Sequence, residues 1–256
     1  MNLLLLEEGE ISPDGRARVA GRRARHALEV LRVVPGDRIA VGLLGGPTGQ
    51  GEVLAASAAE LVLRLALAEP PPPPSSVSLL LALPRPKVLR RVLQAVASMG
   101  VKRVALLGTY RVEKSYFSTP HLRPERIREE LRIGLEQGRD TRLPEVTVHR
   151  FFRPFVEDDL DGLEPGARRL LAHPAAKGAL DTLGAPGERA LVAVGPEGGF
   201  TPFEAAELER RGFAPFSLGP RALRVDAAVP YLVGQLELWA RLSGRLPPAS
   251  LTPVGR

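Results

Sequence analysis

The sequence contains no cysteine among its 256 residues. Disulfide bonds, thiolate nucleophiles and thiolate metal sites are therefore excluded, and the absence is compatible with a reducing compartment. No apolar run approaches the roughly 18 residues that a membrane-spanning helix needs. The opening MNLLLLEEGE has neither a basic segment nor a small-residue cleavage site, so we expect no signal peptide, no membrane partner and a cytoplasmic location.

Several familiar site patterns are also missing. The four histidines (His26, His121, His149 and His173) are scattered without metal-binding spacing, which predicts no metal site. There is no GxxxxGK[ST] loop for a nucleoside triphosphate, no GxGxxG fingerprint for a dinucleotide and no GxSxG for a serine hydrolase. These absences exclude the commonest nucleotide-dependent and hydrolytic enzymes.

The sequence has an excess of positive charge, and this charge is unevenly distributed along the chain. The formal net charge is +6, and residues 85–142 contain 14 Lys and Arg against 6 Asp and Glu. A second basic cluster, residues 16–25, has five arginines and no acid. Such clusters are often solvated faces, but two of them in separate parts of the chain favour a nucleic-acid surface.

A run of five prolines divides the sequence. EPPPPPSS, residues 69–76, is typical of a stiff extended spacer and predicts a domain boundary. Before it, DRIAVGLL and ELVLRLALAE resemble strands separated by Pro-Gly and Gly-Gly-Pro turns, with one helix starting near His26. The first domain is therefore predicted to be small and rich in β-strands.

After the prolines, strand patterns alternate with helix patterns. Apolar runs predict strands at VSLLLAL, RVALLG, VTVHR, ARRLLAHP, RALVAVGPEGG and PFSLGP. Helical periodicity predicts helices over residues 88–99 and 124–137, another between the last two strands, and a final one from about Asp226 to Ser243. This alternation predicts a parallel sheet covered by helices, whose ligands bind beyond the carboxyl ends of the strands.

The loop GPEGGF, residues 195–200, stands at one of those strand ends. Thr201 to Glu204 forms a predicted capping box, and Gly212 is the predicted end of the helix that follows. Glycines before a helix start let the backbone approach an anion or a polar ligand edge, although a plain strand-to-helix turn also uses them.

Five segments together resemble one known family. LAHP (171–174), GPEGGF and SLGPRALRVDAA (217–228), with LPRPK (83–87) and EQGRDTRLPEV (136–146), are similar to the RsmE family of ribosomal RNA uridine N3-methyltransferases. That family belongs to the SPOUT class and uses S-adenosylmethionine. The resemblance implies an α/β protein with a PUA-like RNA-binding β-barrel (1–69), a proline-rich linker (70–76), a trefoil-knotted SPOUT methyltransferase domain (77–246) and a C-terminal tail (247–256).

The resemblance also implies which residues form the sites. The expected cofactor-binding residues are Leu171, His173, Gly195, Pro196, Glu197, Gly198, Gly199, Leu218, Gly219 and Leu223. The expected catalytic residues are Arg224, Arg221 and Glu197, and the expected RNA-binding residues are Arg16, Arg22, Arg23, Arg85, Lys87, Arg111, Lys114, Arg139 and Arg142. Glu197 has three open roles: proton acceptor, ribose ligand or cap of the following helix.

The chain departs from the family pattern at three places. It has LRVDAA where the family has Leu-Arg-Thr-Glu-Thr-Ala, so Asp226 is a shortened acid whose expected role is helix N-cap. It has Ser98-Met99-Gly100 in place of Glu-Leu-Gly, and the Gln-to-Arg spacing in EQGRDTR differs by one residue. These departures affect the target nucleotide more than the cofactor.

The resemblance implies methylation of N3 of a specific uridine in 16S ribosomal RNA, with the small ribosomal subunit as partner. It also implies a homodimer, whose expected face is the apolar side of the last helix: Val229, Leu232, Val233, Leu236 and Trp239. A core helix would show the same pattern. The alternatives are a non-catalytic RNA-binding SPOUT paralogue and a methyltransferase for another nucleotide or atom, such as a ribose hydroxyl.

Overall fold

The computed structural model describes residues 2–57, 59–183 and 189–244. By their contacts these residues divide into two units. Unit 1 takes those within Met1–Pro74, Leu93–Lys102 and Arg123–Pro144, and unit 2 takes the rest. The division falls at the end of the proline run, but two later segments also belong to unit 1. The predicted tail, 247–256, lies outside the described residues.

Unit 1 is built on a five-stranded sheet. Its strands are β1 (Leu4–Leu6), β2 (Arg16–Ala20), β3 (Arg38–Leu43), β4 (Thr48–Ala56) and β5 (Glu60–Glu69), in the spatial order β1-β3-β4-β5-β2. All neighbours pair antiparallel except β1 with β3. In β2 buried and exposed residues alternate, so its arginines face solvent while Ala17 and Val19 enter the core.

Three helices belong to unit 1 wholly or in part. Helix α1 (Gly21–Glu29) follows β2, and helix α3 (Pro124–Gly138) packs against β1. Helix α2 (Pro86–Ser98) starts in unit 2 and ends in unit 1. Gly134 lets α3 approach α2 closely, because a Cβ there would lie 2.3 Å from the Gln94 carbonyl oxygen.

Unit 2 is built on a six-stranded, fully parallel sheet. The strands are β6 (Val77–Ala82), β7 (Arg103–Leu107), β8 (Glu145–His149), β9 (Arg168–Ala172), β10 (Ala190–Val194) and β11 (Ala214–Phe216), in the order β11-β9-β10-β6-β7-β8. Every residue of β6 is buried, as expected of a central strand in a parallel sheet. After β6 the chain adds β7 and β8 on one side, then crosses to the other side to form β9 and, between β9 and β6, β10. The reversal of direction at β6 and β10 is a switch point, where ligands commonly bind.

The described part of unit 2 also contains four α-helices after α2 and one π-helical turn. Residues 152–163 form α4 (Phe152–Pro154), a π-helical turn (Phe155–Asp159) and α5 (Leu160–Leu163). Helix α6 (Pro202–Arg210) lies between β10 and β11, and helix α7 (Val225–Leu242) follows β11.

The predicted alternation and parallel sheet are confirmed, but several local predictions are wrong. Helix α1 begins at Gly21 instead of near His26. The N-cap of α7 is Arg224, so Asp226 lies inside the first turn and is not the cap.

The apolar side of α7 that was expected as a dimer face is not exposed. It is a core face, which the sequence pattern also allowed. Val229, Leu232, Val233 and Leu236 are buried within the chain, and Arg168 lies over the ring of Trp239.

Candidate active site

Three loops meet at the carboxyl edge of the parallel sheet, after β9, β10 and β11. They enclose a cleft beside the switch point. The residues that line it are Ala172, His173, Pro174, Val194, Gly195, Pro196, Glu197, Gly199, Phe200, Leu218, Gly219, Arg221, Ala222, Leu223, Val225 and Ala228. The three loops contain the segments LAHP, GPEGGF and SLGPRALRVDAA, which carry the family resemblance.

Eight of the ten predicted cofactor residues line the cleft, and two do not. Leu171 is a fully buried β9 residue in the core of the sheet. Gly198 is exposed, and its carbonyl oxygen accepts a hydrogen bond from the Arg111 guanidinium. The other eight are His173, Gly195, Pro196, Glu197, Gly199, Leu218, Gly219 and Leu223.

Glycine has a physical reason at three of these positions. A Cβ on Gly195 would lie 3.0 Å from the Phe200 nitrogen, so the two ends of the loop approach closely. Gly199 has φ +72°, and its N–H donates to the Pro196 carbonyl at 2.7 Å, which closes a tight turn. Gly219 has φ +114°, a conformation that side chains of other residues rarely adopt.

Helix α6 is capped as predicted. The Thr201 hydroxyl accepts from the Glu204 N–H at 3.2 Å, and Glu204 Oε2 accepts from the Thr201 N–H at 2.8 Å. This capping box excludes the role of helix cap for Glu197. The Glu197 carboxylate instead lies 3.9 Å from the Arg85 guanidinium, at the cleft.

Tyr116 is a titratable group whose hydroxyl donates a hydrogen bond to Glu113 at 3.0 Å. Loss of hydration raises its pKa above the ordinary value, and the hydrogen bond that its hydroxyl donates to Glu113 raises the pKa further. Tyr116 is therefore neutral at physiological pH and is not a base there.

The predicted catalytic arginines occupy different places. Arg221 lines the cleft. Arg224 stands at the start of α7 between the cleft residues Leu223 and Val225, with 73% of its side chain exposed. The Arg224 Nε lies 3.5 Å from Asp226 Oδ1, while Arg91 donates to Asp226 Oδ2 at 3.0 Å. Asp226 thus connects two arginines, a contact that the sequence did not indicate.

His173 has the geometry of a turn residue. Its N–H donates to the Phe216 carbonyl at 2.9 Å, and its ring Nδ1 accepts from the Ala175 N–H at 3.2 Å. The backbone bond joins the loops after β9 and β11, so His173 shapes the cleft that it lines.

The predicted RNA-binding residues of unit 2 are exposed. They are Arg85, Lys87, Arg111 and Lys114. Arg111 is held by its hydrogen bond to Gly198, whereas Lys87 and Lys114 follow the strand ends of β6 and β7 in the chain.

The predicted RNA-binding residues of unit 1 differ in how far their side chains are exposed. Arg16 and Arg22 are largely exposed and pair with Asp14 and Glu136. Arg23 is mostly buried, donating to Glu10 and to the Leu5 carbonyl. A second pair of arginines follows α3: Arg139 ends that helix with φ +56°, and Arg142 donates to the carbonyls of Pro71 and Pro72.

For two expected absences, a metal site and a membrane span, the structure gives information only on the residues that it describes. Within residues 2–57, 59–183 and 189–244, no group of three or more His, Cys, Asp or Glu is placed to hold a metal ion. In the same ranges no helix has the length and hydropathy needed to cross a membrane.

Known proteins resemble this chain both in sequence and in fold. A family model described as RNA methyltransferase domain matches residues 71–237. The chain is 29% identical, over its full length and 99% of the relative, to ribosomal RNA small subunit methyltransferase E of Treponema pallidum. It also resembles solved structures from two further bacteria.

The first is ribosomal RNA small subunit methyltransferase E of Neisseria gonorrhoeae bound to S-adenosyl methionine, with TM-score 0.74, 20% identity and coverage of 93% of this chain and 98% of the other. The second, a Legionella pneumophila protein solved with bound cofactor SAM, has TM-score 0.72, 22% identity and coverage of 93% and 97%. At these identities the likeness shows a common fold, and the predicted two-part fold class is confirmed. The threading of the three loops as a knot stays a prediction.

Proposed function

The chain belongs to the RNA methyltransferase domain family, and from that premise we propose that it transfers the methyl group of S-adenosylmethionine to N3 of a uridine in 16S ribosomal RNA. The observation that carries the proposal is the meeting of the three family-like loops around one cleft at the sheet's switch point. The name of the Treponema pallidum relative, a small subunit ribosomal RNA methyltransferase, supports the substrate.

The cleft suits the adenosine and thioether parts of S-adenosylmethionine. Apolar side chains at Ala172, Val194, Phe200 and Leu223 offer a dry surface for the flat adenine ring. Glycine-rich backbone on the loops after β10 and β11 offers polar edges at close range. The Glu197 carboxylate on the same lining suits hydrogen bonds from ribose hydroxyls, which is one of the roles open to it.

The transferred methyl group comes from the sulfonium of the cofactor, and the residues of this chain prepare the acceptor. Uridine N3 must lose its proton, which leaves negative charge on the base. We assign Arg224 to orient the base and stabilise that charge, because its guanidinium is exposed beside the cleft and lies 3.5 Å from Asp226. Arg221 is a second cation on the cleft itself, and Glu197, which lines the same cleft, is the candidate to accept the N3 proton if it does not bind the ribose.

The target uridine has to be unpaired or extruded, because N3 is engaged in a base pair within a duplex. The exposed cations Lys87, Arg111 and Lys114 of unit 2 are suited to flanking phosphates. In unit 1, Arg16 and Arg22 are exposed enough for the same role, whereas Arg23 and Arg142 mainly hold their own unit together.

The homodimer remains part of the proposal, with a different face. Tyr231, Leu238 and Leu242 are exposed on α7, on the side opposite its buried residues. Spacings of seven and four residues place these side chains on one stripe of the helix. A second copy of the chain would cover that stripe, and the assembly would act in the cytoplasm, where ribosomal RNA is found in bacteria.

Calorimetric titration with S-adenosylmethionine and S-adenosylhomocysteine separates this function from its main alternative. A methyltransferase should bind both ligands with one site per chain. A non-catalytic RNA-binding paralogue would bind RNA and neither ligand, and that result would remove the enzymatic proposal.

A further inference from the structure

A second cleft lies at the same edge of the unit 2 sheet, where β7 and β8 end. It has a volume of about 1130 Å³, above the roughly 300–1,000 Å³ of pockets for small molecules. Its walls come from three segments: residues 108–117, residues 150–154 and the start of α6. It adjoins the candidate active site along the chain, because Phe200 lines the first cleft and Thr201 lines the second.

Three aromatic side chains in this second cleft are exposed to an unusual degree. Tyr110 is 86% exposed, Phe151 is 68% exposed and Phe203 is 61% exposed. Each comes from a different wall of the cleft. Aromatic side chains gain most from burial, so three exposed rings around one cleft indicate a binding surface.

The backbone that carries Tyr110 is held by hydrogen bonds, and the loops on either side of the cleft approach closely. Glu204 is buried, and its Oε1 accepts a hydrogen bond from the Tyr110 N–H at 2.8 Å while its Oε2 serves the α6 cap. Gly108 donates to the His149 carbonyl at 2.7 Å, and a Cβ there would lie 2.1 Å from the Arg150 carbonyl oxygen. The loops after β7 and β8 are therefore held close together, so their backbone needs little ordering when a ligand binds.

The charge around the second cleft is positive. Its lining includes Lys114, Arg150 and Arg153. Arg150 lies over the Phe117 ring with 5.6 Å from its guanidinium carbon to the ring centroid, and Arg153 pairs with Glu157. Among the described residues that line the cleft, Glu204 is the one acid, and both its oxygens already accept hydrogen bonds.

We propose that this second cleft binds unpaired nucleotides of the RNA substrate next to the target uridine. Tyr110, Phe151 and Phe203 stack on the bases, and Lys114 and Arg150 contact the phosphates. Aromatic rings beside cations are the general means of holding single-stranded nucleic acid, because every base has a flat face and every nucleotide a charge. The inference rests on the proposed function, since it takes RNA as the substrate.

The proposal also explains a requirement of the chemistry. A uridine can reach the candidate active site only when it is unstacked from its neighbours, and this unstacking is unfavourable. Rings that accept the displaced neighbours would return part of that cost. A protein partner is the other occupant that exposed aromatic residues suit, but the cationic lining favours a polyanion.

The test uses the full-length protein and a fluorescent ten-nucleotide single-stranded RNA, with binding followed by anisotropy. Phe151→Ala and Tyr110→Ala should each weaken binding about tenfold, as expected for loss of one stacked base. Phe151→Tyr keeps a ring of the same size and should bind like the unchanged protein. The Tyr110 contact with Glu204 uses a backbone N–H, so Tyr110→Ala retains it.

Two further comparisons separate stacking from charge. An oligomer of the same length with abasic sugars keeps the phosphates and should bind at least tenfold more weakly to the unchanged protein. Lys114→Ala should make the slope of log affinity against log salt shallower by about 0.7, the value for one phosphate contact with a single strand. Phe151→Ala should leave that slope unchanged.

Equal binding of the abasic and the normal oligomer, or unchanged RNA affinity in both alanine variants, would overturn the proposal. A shift in sedimentation of Phe151→Ala with unchanged RNA affinity would overturn it in favour of a protein interface. The proposed function fails by a different result, the absence of S-adenosylmethionine binding in the unchanged protein. Retained cofactor binding in the alanine variants shows that they are folded.

Discussion

Single residues of the candidate active site differ in how directly the sequence revealed them. Gly195, Gly199 and Gly219 were predicted from the family resemblance, and each has a close approach or a positive φ that favours glycine. Leu171 and Gly198 were predicted from the same segments but do not line the cleft. Leu171 lies in the sheet core, and the Gly198 carbonyl accepts a hydrogen bond from Arg111. Which side a loop residue faces depends on packing against Arg111 and the sheet core, and such contacts have no local sequence signal.

Gly219→Val should abolish cofactor binding. The substitution places a branched side chain at φ +114° on the lining of the cleft. Gly212→Val is a matched control, because Gly212 has φ +85°, has open space around it and lies off the cleft. Both variants should lose about 1–2 kcal/mol of stability from the forced conformation. Calorimetry with S-adenosylhomocysteine decides the matter: equal cofactor affinity in the two variants would contradict the cleft assignment.

Arg224→Ala should preserve cofactor affinity and reduce kcat about a hundredfold. Its guanidinium is exposed beside the cleft and does not line it. We therefore expect it to stabilise the negative charge that develops on the base, not to bind the cofactor. Arg224→Lys keeps the charge but not the planar fork, and should retain an intermediate rate. A loss of cofactor affinity equal to the loss of rate would show that Arg224 binds the cofactor instead.

At the scale of helices and strands, apolar runs and helical periodicity predicted most of unit 2. The sequence did not indicate β1, which has three residues, or β2, in which arginines alternate with Ala17 and Val19. Residues 152–163 were missed because a π-helical turn interrupts the helical period there. The capping box of α6 was predicted from Thr201 to Glu204, yet the bond from Glu204 to Tyr110 was not, since it joins residues 94 apart.

Glu204→Ala should destabilise the protein more than Thr201→Ala. Removal of the Thr201 side chain costs about 1 kcal/mol as a lost N-cap. Removal of the Glu204 carboxylate also leaves the Tyr110 N–H without its acceptor, so we expect a loss of roughly 2–3 kcal/mol in urea denaturation. Glu209→Ala, at an exposed position of the same helix, is the control and should change stability by less than about 0.5 kcal/mol. Equal losses in the Thr201 and Glu204 variants would contradict the double role of Glu204.

For the whole molecule, the fold class was predictable because the family-like segments occur throughout the chain. Which face of α7 is exposed could not be predicted, because helical periodicity alone cannot distinguish a core face from a subunit interface. The predicted apolar face is the core face, and the exposed stripe contains Tyr231, Leu238 and Leu242.

Leu238→Arg should convert the proposed dimer to a monomer. The charge would lie on a half-exposed position in the middle of the exposed stripe of α7, where burial against a second copy is costly. Val34→Arg, at an exposed apolar position of unit 1, should leave the sedimentation coefficient unchanged. Sedimentation velocity at several concentrations is the measurement. A monomer in the unchanged protein, or a dimer that persists in Leu238→Arg, would argue against this interface.

The most direct test of the central claim is nucleoside analysis after methylation in vitro. Small ribosomal subunits lacking 3-methyluridine are incubated with the protein and isotopically labelled S-adenosylmethionine, and the RNA is digested and examined by mass spectrometry. The account predicts label in 3-methyluridine, and about a hundredfold less of it when Arg224→Ala is used for the same short time. Label in a ribose or in another base, or no label at all, would contradict it.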